Sequence, residues 1–207
     1  MNRMALLPML LTFQRKRKMT DTLTKKEIRN TVLDIRKSFN TDYLLTLSEI
    51  ICKRVIKHDF YKNAEDVVFY SSVNNEVFLD ILMEDAFFTE KKVWLPKILD
   101  KSMEFYSYKQ GDSLVRGAYN IPEPDSMEKL IPDENTLIIM PGAAFTKDMA
   151  RIGYGGGYYD KYLDRYPCCK TIAVCYNFQI LPWIPEDSHD IKPQVIISDH
   201  EVFQKNI

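Results

Sequence analysis

A chain of 207 residues, 45% hydrophobic and 28% charged, has enough apolar content to bury one sizeable core. Its formal net charge of −1 supplies no basic field, so no nucleic-acid partner is expected. No apolar run approaches the roughly 20 residues that a membrane helix needs, so no membrane partner is expected either.

The first 19 residues stand apart. They carry Arg3, Arg15, Lys16, Arg17 and Lys18, no acid, and an apolar stretch broken by Pro8. The main basic cluster follows the apolar run and no small-residue cleavage site is present, which fits a secretory signal poorly. Residues 1–19 are expected to be a disordered extension, or an upstream start with Met19 as the true initiator; a mitochondrial presequence is the alternative. Residues 20–207 are expected to form a single α/β catalytic domain.

Thr24-Lys25-Lys26-Glu27 reads as a capping box, followed by Ile28, Val32, Ile35 and Phe39 on one helix face. The same helix sets Lys25 and Arg29 four residues apart on a neighbouring face. That pair reads either as a solvated basic edge or as a two-cation clamp on an anionic ligand. Thr41-Asp42 is expected to cap a second helix with Leu44, Leu47, Ile51 and Val55 inside, and His58 to sit at its end as a dipole-stabilised surface histidine. Cys52, Cys168, Cys169 and Cys175 form no CxxC and the three histidines are scattered. Neither a disulfide framework nor a zinc site is expected, and a reducing compartment, the cytoplasm, is.

DVVFYSS, residues 66–72, reads as the first core strand, with a helix over residues 78–88 behind it. Glu76 lies between them, where ligands of open α/β sheets bind, although an acid there also suits the next helix N-terminus. Strands are expected at residues 92–98 and 103–108. The Pro-rich segment 111–124 is expected to form an irregular wall. Leu137–Met140, fully apolar, reads as a central parallel strand. Tyr158, Tyr159, Tyr162, Leu163 and Tyr166 mark a helix, and residues 171–176 and 193–198 two more strands. Strands and helices alternate without an internal linker. The expected fold is therefore α/β: one doubly wound, mostly parallel sheet with helices on both faces.

Four of the seven glycines, Gly153, Gly155, Gly156 and Gly157, fall between the apolar strand and the Tyr-rich helix. Strand, glycine loop, helix lets backbone N–H groups surround a phosphate. The loop lacks the Gly-Lys-Ser/Thr ending of a P-loop and the third glycine of a dinucleotide fingerprint. It is flanked by Arg151, whose planar fork suits phosphate or carboxylate, and closed by Asp160. A carboxylate beside phosphates repels them unless Mg²⁺ lies between. Asp187 and Asp190 are candidates for a second acidic ligand, and simple complementation of the helix N-terminus is the other reading of Asp160.

The stretch MPGAAFTKDMARIGYGGGYYDKYL closely resembles the signature of the 5-formyltetrahydrofolate cyclo-ligase (5,10-methenyltetrahydrofolate synthetase) family. Ile152 replaces a usual Leu and Thr146 a usual Asp. Shorter pieces match in order: KKEIR at 25–29, NNEV at 74–77, WLP at 94–96, YNIPEP at 119–124 and HDIK at 189–192. The resemblance implies an ATP- and Mg²⁺-dependent ligase acting on 5-formyltetrahydrofolate, expected here to be a monomer. It implies ATP contacts at Lys25, Arg29, Arg151, Ile152, Gly153, Tyr154, Gly155, Gly156, Gly157, Tyr158 and Tyr159. It implies substrate contacts at Tyr70, Glu76, Tyr119, Tyr154 and Tyr158, and metal ligands Asp160 and Asp190. Arg151 and Tyr158 are the expected catalytic groups. Some relatives carry cations within the glycine loop where this chain has Tyr154 and Gly156. A non-catalytic nucleotide- or folate-binding protein on the same fold is the alternative, and a sugar-phosphate isomerase or transferase on a related scaffold rests on fold analogy alone.

Overall fold

The computed structural model describes residues 23–100 and 102–204, so the expectation for residues 1–19 lies outside it. In chain order the helices are α1 (Lys25–Lys37), α2 (Thr41–Lys57), α3 (Asp59–Asn63), α4 (Asp80–Phe88) and α5 (Tyr158–Arg165). The strands are β1 (Asp66–Val68), β2 (Lys92–Leu99), β3 (Ser102–Tyr108), β4 (Leu114–Arg116), β5 (Pro122–Pro124) and β6 (Thr136–Met140). They continue with β7 (Ala144–Phe145), β8 (Arg151–Ile152), β9 (Lys170–Cys175), β10 (Val195–Ser198) and β11 (Val202–Gln204).

One seven-stranded sheet runs in the order β11-β10-β9-β6-β1-β2-β3. The five inner strands pair in parallel, and β3 and β11 close the edges antiparallel. The apolar run of β6 is explained by burial on both faces: Leu137 and Ile139 face the cluster of α2 and α4, while Ile138 and Met140 face that of α5. All four are fully buried, each worth about 1.5–3 kcal/mol relative to exposure. Leu44, Ile51 and Val55 of α2 and Leu82 of α4 cover the first face, and Tyr162 and Leu163 of α5 cover the second. The doubly wound α/β arrangement therefore holds, with helices on both faces. No helix among the described residues is long and apolar enough to cross a membrane.

The capping box of α1 forms as its sequence implies: the Thr24 hydroxyl accepts from the Glu27 N–H, and Glu27 Oε2 accepts from the Thr24 N–H at 2.8 Å. The apolar face of α1, Ile28 and Val32, packs on the β7–β8 hairpin through Ala144 and Ile152. Other boundaries move. Asn40 caps α2, accepting from the Asp42 N–H at 2.7 Å, because its side chain reaches the first turn where Thr41 is already helical. His58 caps α3 with Nδ1 as acceptor from the Phe60 N–H, 3.1 Å, and so does more than end α2. β1 stops at Val68, and residues 69–72 leave the ladder toward the site. The segment expected to be irregular contains a short antiparallel pair, β4 with β5. Its support is the buried Glu123, whose Oε1 accepts from the Ile98 and Ala118 N–H groups, both at 3.2 Å. Gly117 is required there, since a Cβ would lie 2.0 Å from the Glu123 carboxyl carbon.

The order of strands determines where a ligand can enter. From β1 the chain winds through α4 to β2 on one side; from β6 it winds through α5 to β9 on the other. The connections that follow β1 and β6 therefore diverge and open a crevice at the carboxyl ends of these two neighbours.

Candidate functional site

A cavity of about 810 Å³ occupies that crevice. Tyr70 and Glu76 enter it from the segment after β1. Tyr154, Gly155 and Gly156 enter from the glycine loop, Tyr158 and Tyr159 from the start of α5, and Tyr119 from the β4–β5 turn. All five expected substrate contacts thus line one space, together with part of the glycine loop. Tyr119 and Asn120 take left-handed backbone conformations, φ 56° and 61°, and carry the Tyr119 ring out from the hairpin. Its hydroxyl meets that of Tyr158 at 3.3 Å, joining the wall to α5. Tyr119 is 75% exposed.

Glu76 is buried at the inner end. The Val73 N–H donates to its Oε2 at 3.0 Å, and the buried Tyr176 hydroxyl donates to its backbone carbonyl at 3.0 Å. Burial holds the Glu76 carboxyl above the usual carboxylate range, against the opposing pull of the Tyr154 hydroxyl, the Val73 N–H and the Arg36 charge. Tyr70 spends its hydroxyl on the Val77 carbonyl, 2.8 Å, which braces the 73–77 loop. What it offers a ligand is ring surface. Burial also raises the phenols of Tyr154 and Tyr159, with the Glu76 charge adding to it, so both stay neutral hydrogen-bonding rings.

The remaining expected residues gather on the outer side of the loop. Arg29 Nε donates to the Gly153 carbonyl at 2.8 Å, tying α1 to the loop. Lys25 donates to Asp187 at 2.7 Å and to Asp190. Burial lowers the Lys25 ammonium, but these two carboxylates outweigh it and hold it above its ordinary value. Burial raises Asp190, and the Asp187 N–H and Lys25 outweigh that in turn, leaving it below its ordinary value. Arg151, its side chain 4% exposed, pairs with Asp160 Oδ1 at 2.9 Å. The Ile191 N–H donates to the same oxygen at 3.1 Å, which sets Asp160 beside Asp190.

The expected metal ligands fit a hard cation by donor type. Asp160 Oδ2 and Asp190 Oδ1 take part in none of the hydrogen bonds described, and carboxylate oxygens are what Mg²⁺ selects. Asp187, His189 and Asp190 bring ligand atoms within 4.8 Å of one another. The Ile152 side chain joins Ile28 and Val32 in the core, and its carbonyl accepts from the Ala143 N–H at 2.8 Å. Gly157, left-handed at φ 63°, precedes α5 and directs the loop into it. Gly155, at φ 104°, has a backbone that side chains rarely adopt, and lies against Arg29.

Two polar residues of the site were not singled out by sequence. Gln179 is buried and donates to the Gly142 and Ala143 carbonyls, both at 2.9 Å, fixing the turn that begins the loop. No spacing marks it. Arg36, 2% exposed, lines the cavity and donates to the Tyr154 hydroxyl at 3.0 Å. Its signal was present: Arg36 stands seven residues after Arg29, two helical turns along the same stripe.

The model of the 5-formyltetrahydrofolate cyclo-ligase family matches residues 21–199. A probable 5-formyltetrahydrofolate cyclo-ligase of Schizosaccharomyces pombe is 31% identical over 79% of this chain and 89% of its own length. The 5-formyltetrahydrofolate cyclo-ligase of Mus musculus is 28% identical over 84% of this chain and 92% of its own. Among solved structures, the 5,10-methenyltetrahydrofolate synthetase of Aquifex aeolicus superposes with a TM-score of 0.78 at 30% identity, covering 88% of this chain and 93% of its own.

Proposed function

Since the chain belongs to the 5-formyltetrahydrofolate cyclo-ligase family, we propose that it cyclises 5-formyltetrahydrofolate to 5,10-methenyltetrahydrofolate, with ATP converted to ADP and phosphate. The observation that carries this reading is one cavity with a buried carboxylate at one end, tyrosine rings along it and a glycine loop as its other wall. Glu76 accepts hydrogen bonds from the donor-rich edge of the pterin. Tyr70, Tyr119, Tyr158 and Tyr159 supply aromatic surface to the flat rings.

A formamide oxygen is a poor leaving group. Transfer of the γ-phosphoryl group to it makes an iminium phosphate; N10 attacks the activated carbon, loses its proton, and the oxygen departs within phosphate. Such transfer demands positioning and charge neutralisation, and no protein nucleophile. The N–H groups of residues 152–159 hold the triphosphate at the N-terminus of α5. Lys25 and Arg29 close on it from α1. Arg151 balances charge beneath the loop while aligning Asp160, and the Tyr158 hydroxyl stands over the reacting groups. Asp160 and Asp190 would hold Mg²⁺, which when bound supplies further neutralisation of the triphosphate. With Tyr154 and Gly156 in place of loop cations, Lys25, Arg29, Arg151 and the metal carry that neutralisation.

Supplying (6S)-5-formyltetrahydrofolate with ATP and Mg²⁺ should produce the absorbance of the methenyl product, and omission of ATP should abolish it. Absence of turnover with all three present overturns the proposal.

A further inference from the structure

Arg36 is a fixed cation that the fold leaves under-satisfied. It is 2% exposed, yet pairs with no carboxylate among the described residues. A guanidinium carries five N–H donors and stays charged. Here one donor meets the Tyr154 hydroxyl, at 3.0 Å, with the carbon of the guanidinium 5.8 Å from the centre of that ring. The buried Nε has no hydrogen-bond partner. Native structures rarely leave such a group so, and this one lines the same cavity as Glu76.

Together the two residues form a polar pattern: a carboxylate that accepts and a guanidinium that donates, with Tyr154 between them. A 2-amino-4-oxo pteridine presents the complement along one edge. Its 2-amino group and N3–H donate, and its 4-carbonyl accepts. Resting on the folate reading above, we propose that Arg36 is a specificity-determining residue that donates to the pterin 4-carbonyl while Glu76 accepts from the adjoining N–H groups. The cavity then selects the 4-oxo ring and rejects its 2,4-diamino counterpart, in which position 4 donates and N3 carries no hydrogen. Donor would face donor at Arg36, leaving buried polar groups unpaired.

The test compares folic acid with its 4-amino analogue, aminopterin, by calorimetry at neutral pH, where the diamino ring carries no proton and the 4-oxo ring keeps its N3–H. The wild-type protein should prefer the 4-oxo compound about ten- to a hundredfold. Arg36→Met should bring the ratio near one and leave ATP affinity unchanged; Arg36→Lys, with the charge but not the fork, should fall between. Equal wild-type affinities, or a preference that survives Arg36→Met, overturns the assignment. The wild-type comparison decides alone should Arg36→Met not fold. If 5-formyltetrahydrofolate is turned over without any oxo preference, Arg36 loses this role and the proposed function stands. If the wild-type protein binds neither compound and turns over no substrate, both fall.

Discussion

The two sides of the glycine loop treat charge in opposite ways. On the outer side Lys25 meets Asp187 and Asp190, Arg151 meets Asp160, and Arg29 spends Nε on the Gly153 carbonyl. On the inner side Glu76 and Arg36 are both buried and separated by Tyr154, and among the described residues neither forms an ion pair. A neutralised network holds a shape by itself. Unpaired buried charge costs free energy until a ligand completes it. The outer side is accordingly held in shape before any ligand arrives, while the inner side keeps polar groups for a ligand to complete.

The sharpest way to break this contrast is at the buried pair. Asp160→Ala leaves the Arg151 guanidinium without a counter-charge, and unfolding by urea should show a loss of about 3–5 kcal/mol. Asp160→Asn keeps an acceptor for Arg151 and the Ile191 N–H; it should stay folded while Mg²⁺-dependent turnover falls by about a hundredfold or more. Full activity of that variant removes Asp160 from the metal site.

Glu76→Gln should act on binding and spare the fold. Folate affinity should drop about ten- to a hundredfold, with thermal stability unchanged or higher. The sign follows from burial raising the Glu76 carboxyl: the folded protein penalises its ionised form, so removing the charge removes that penalty. In the wild-type protein, folate binding should weaken on acidification beginning above the usual carboxylate range, with the raised phenols of Tyr70, Tyr154 and Tyr159 around the group staying protonated. Glu76→Gln should lack that limb in calorimetry.

Gly155→Ala tests the loop backbone. At φ 104° a side chain is strained, and stability should fall by about 1–2 kcal/mol, with a larger effect on ATP affinity than on folate affinity. Lys25→Met should be the mildest, about 1 kcal/mol or less, because its pairs are partly solvated. Asp190 is held below its usual 3.8, so its share of that stability is present at neutral pH and lost as pH falls through the lowered value. Lys25 is held above its usual 10.5, so its share is lost only as pH rises through the raised value. The stability difference between the wild-type protein and Lys25→Met, measured by urea titration across pH, should be flat between those limits and shrink beyond either one.

Local sequence was legible wherever one element supplied its own signal. The capping box of α1, the apolar run of β6 and the Tyr stripe of α5 each folded as their spacing implied. The doubly wound order follows from the alternation of such elements. The boundaries that moved, Asn40 and the early end of β1, depended on side-chain reach and on which neighbour the chain leaves. That part of the glycine cluster and Glu76 would face one crevice was legible because both follow strands of the sheet at their carboxyl ends.

What composition, periodicity and motif determined by themselves was the fold class, the loop and the family resemblance, because these depend on residues close in sequence. Tertiary structure decided which charges meet. It brought Lys25 to Asp190 across 165 residues, set Gln179 under the turn at Gly142, and turned Arg36 from one more helix cation into a buried donor beside Glu76. Electrostatic roles depend on burial and on the nearest opposite charge, and both are properties of the packed chain.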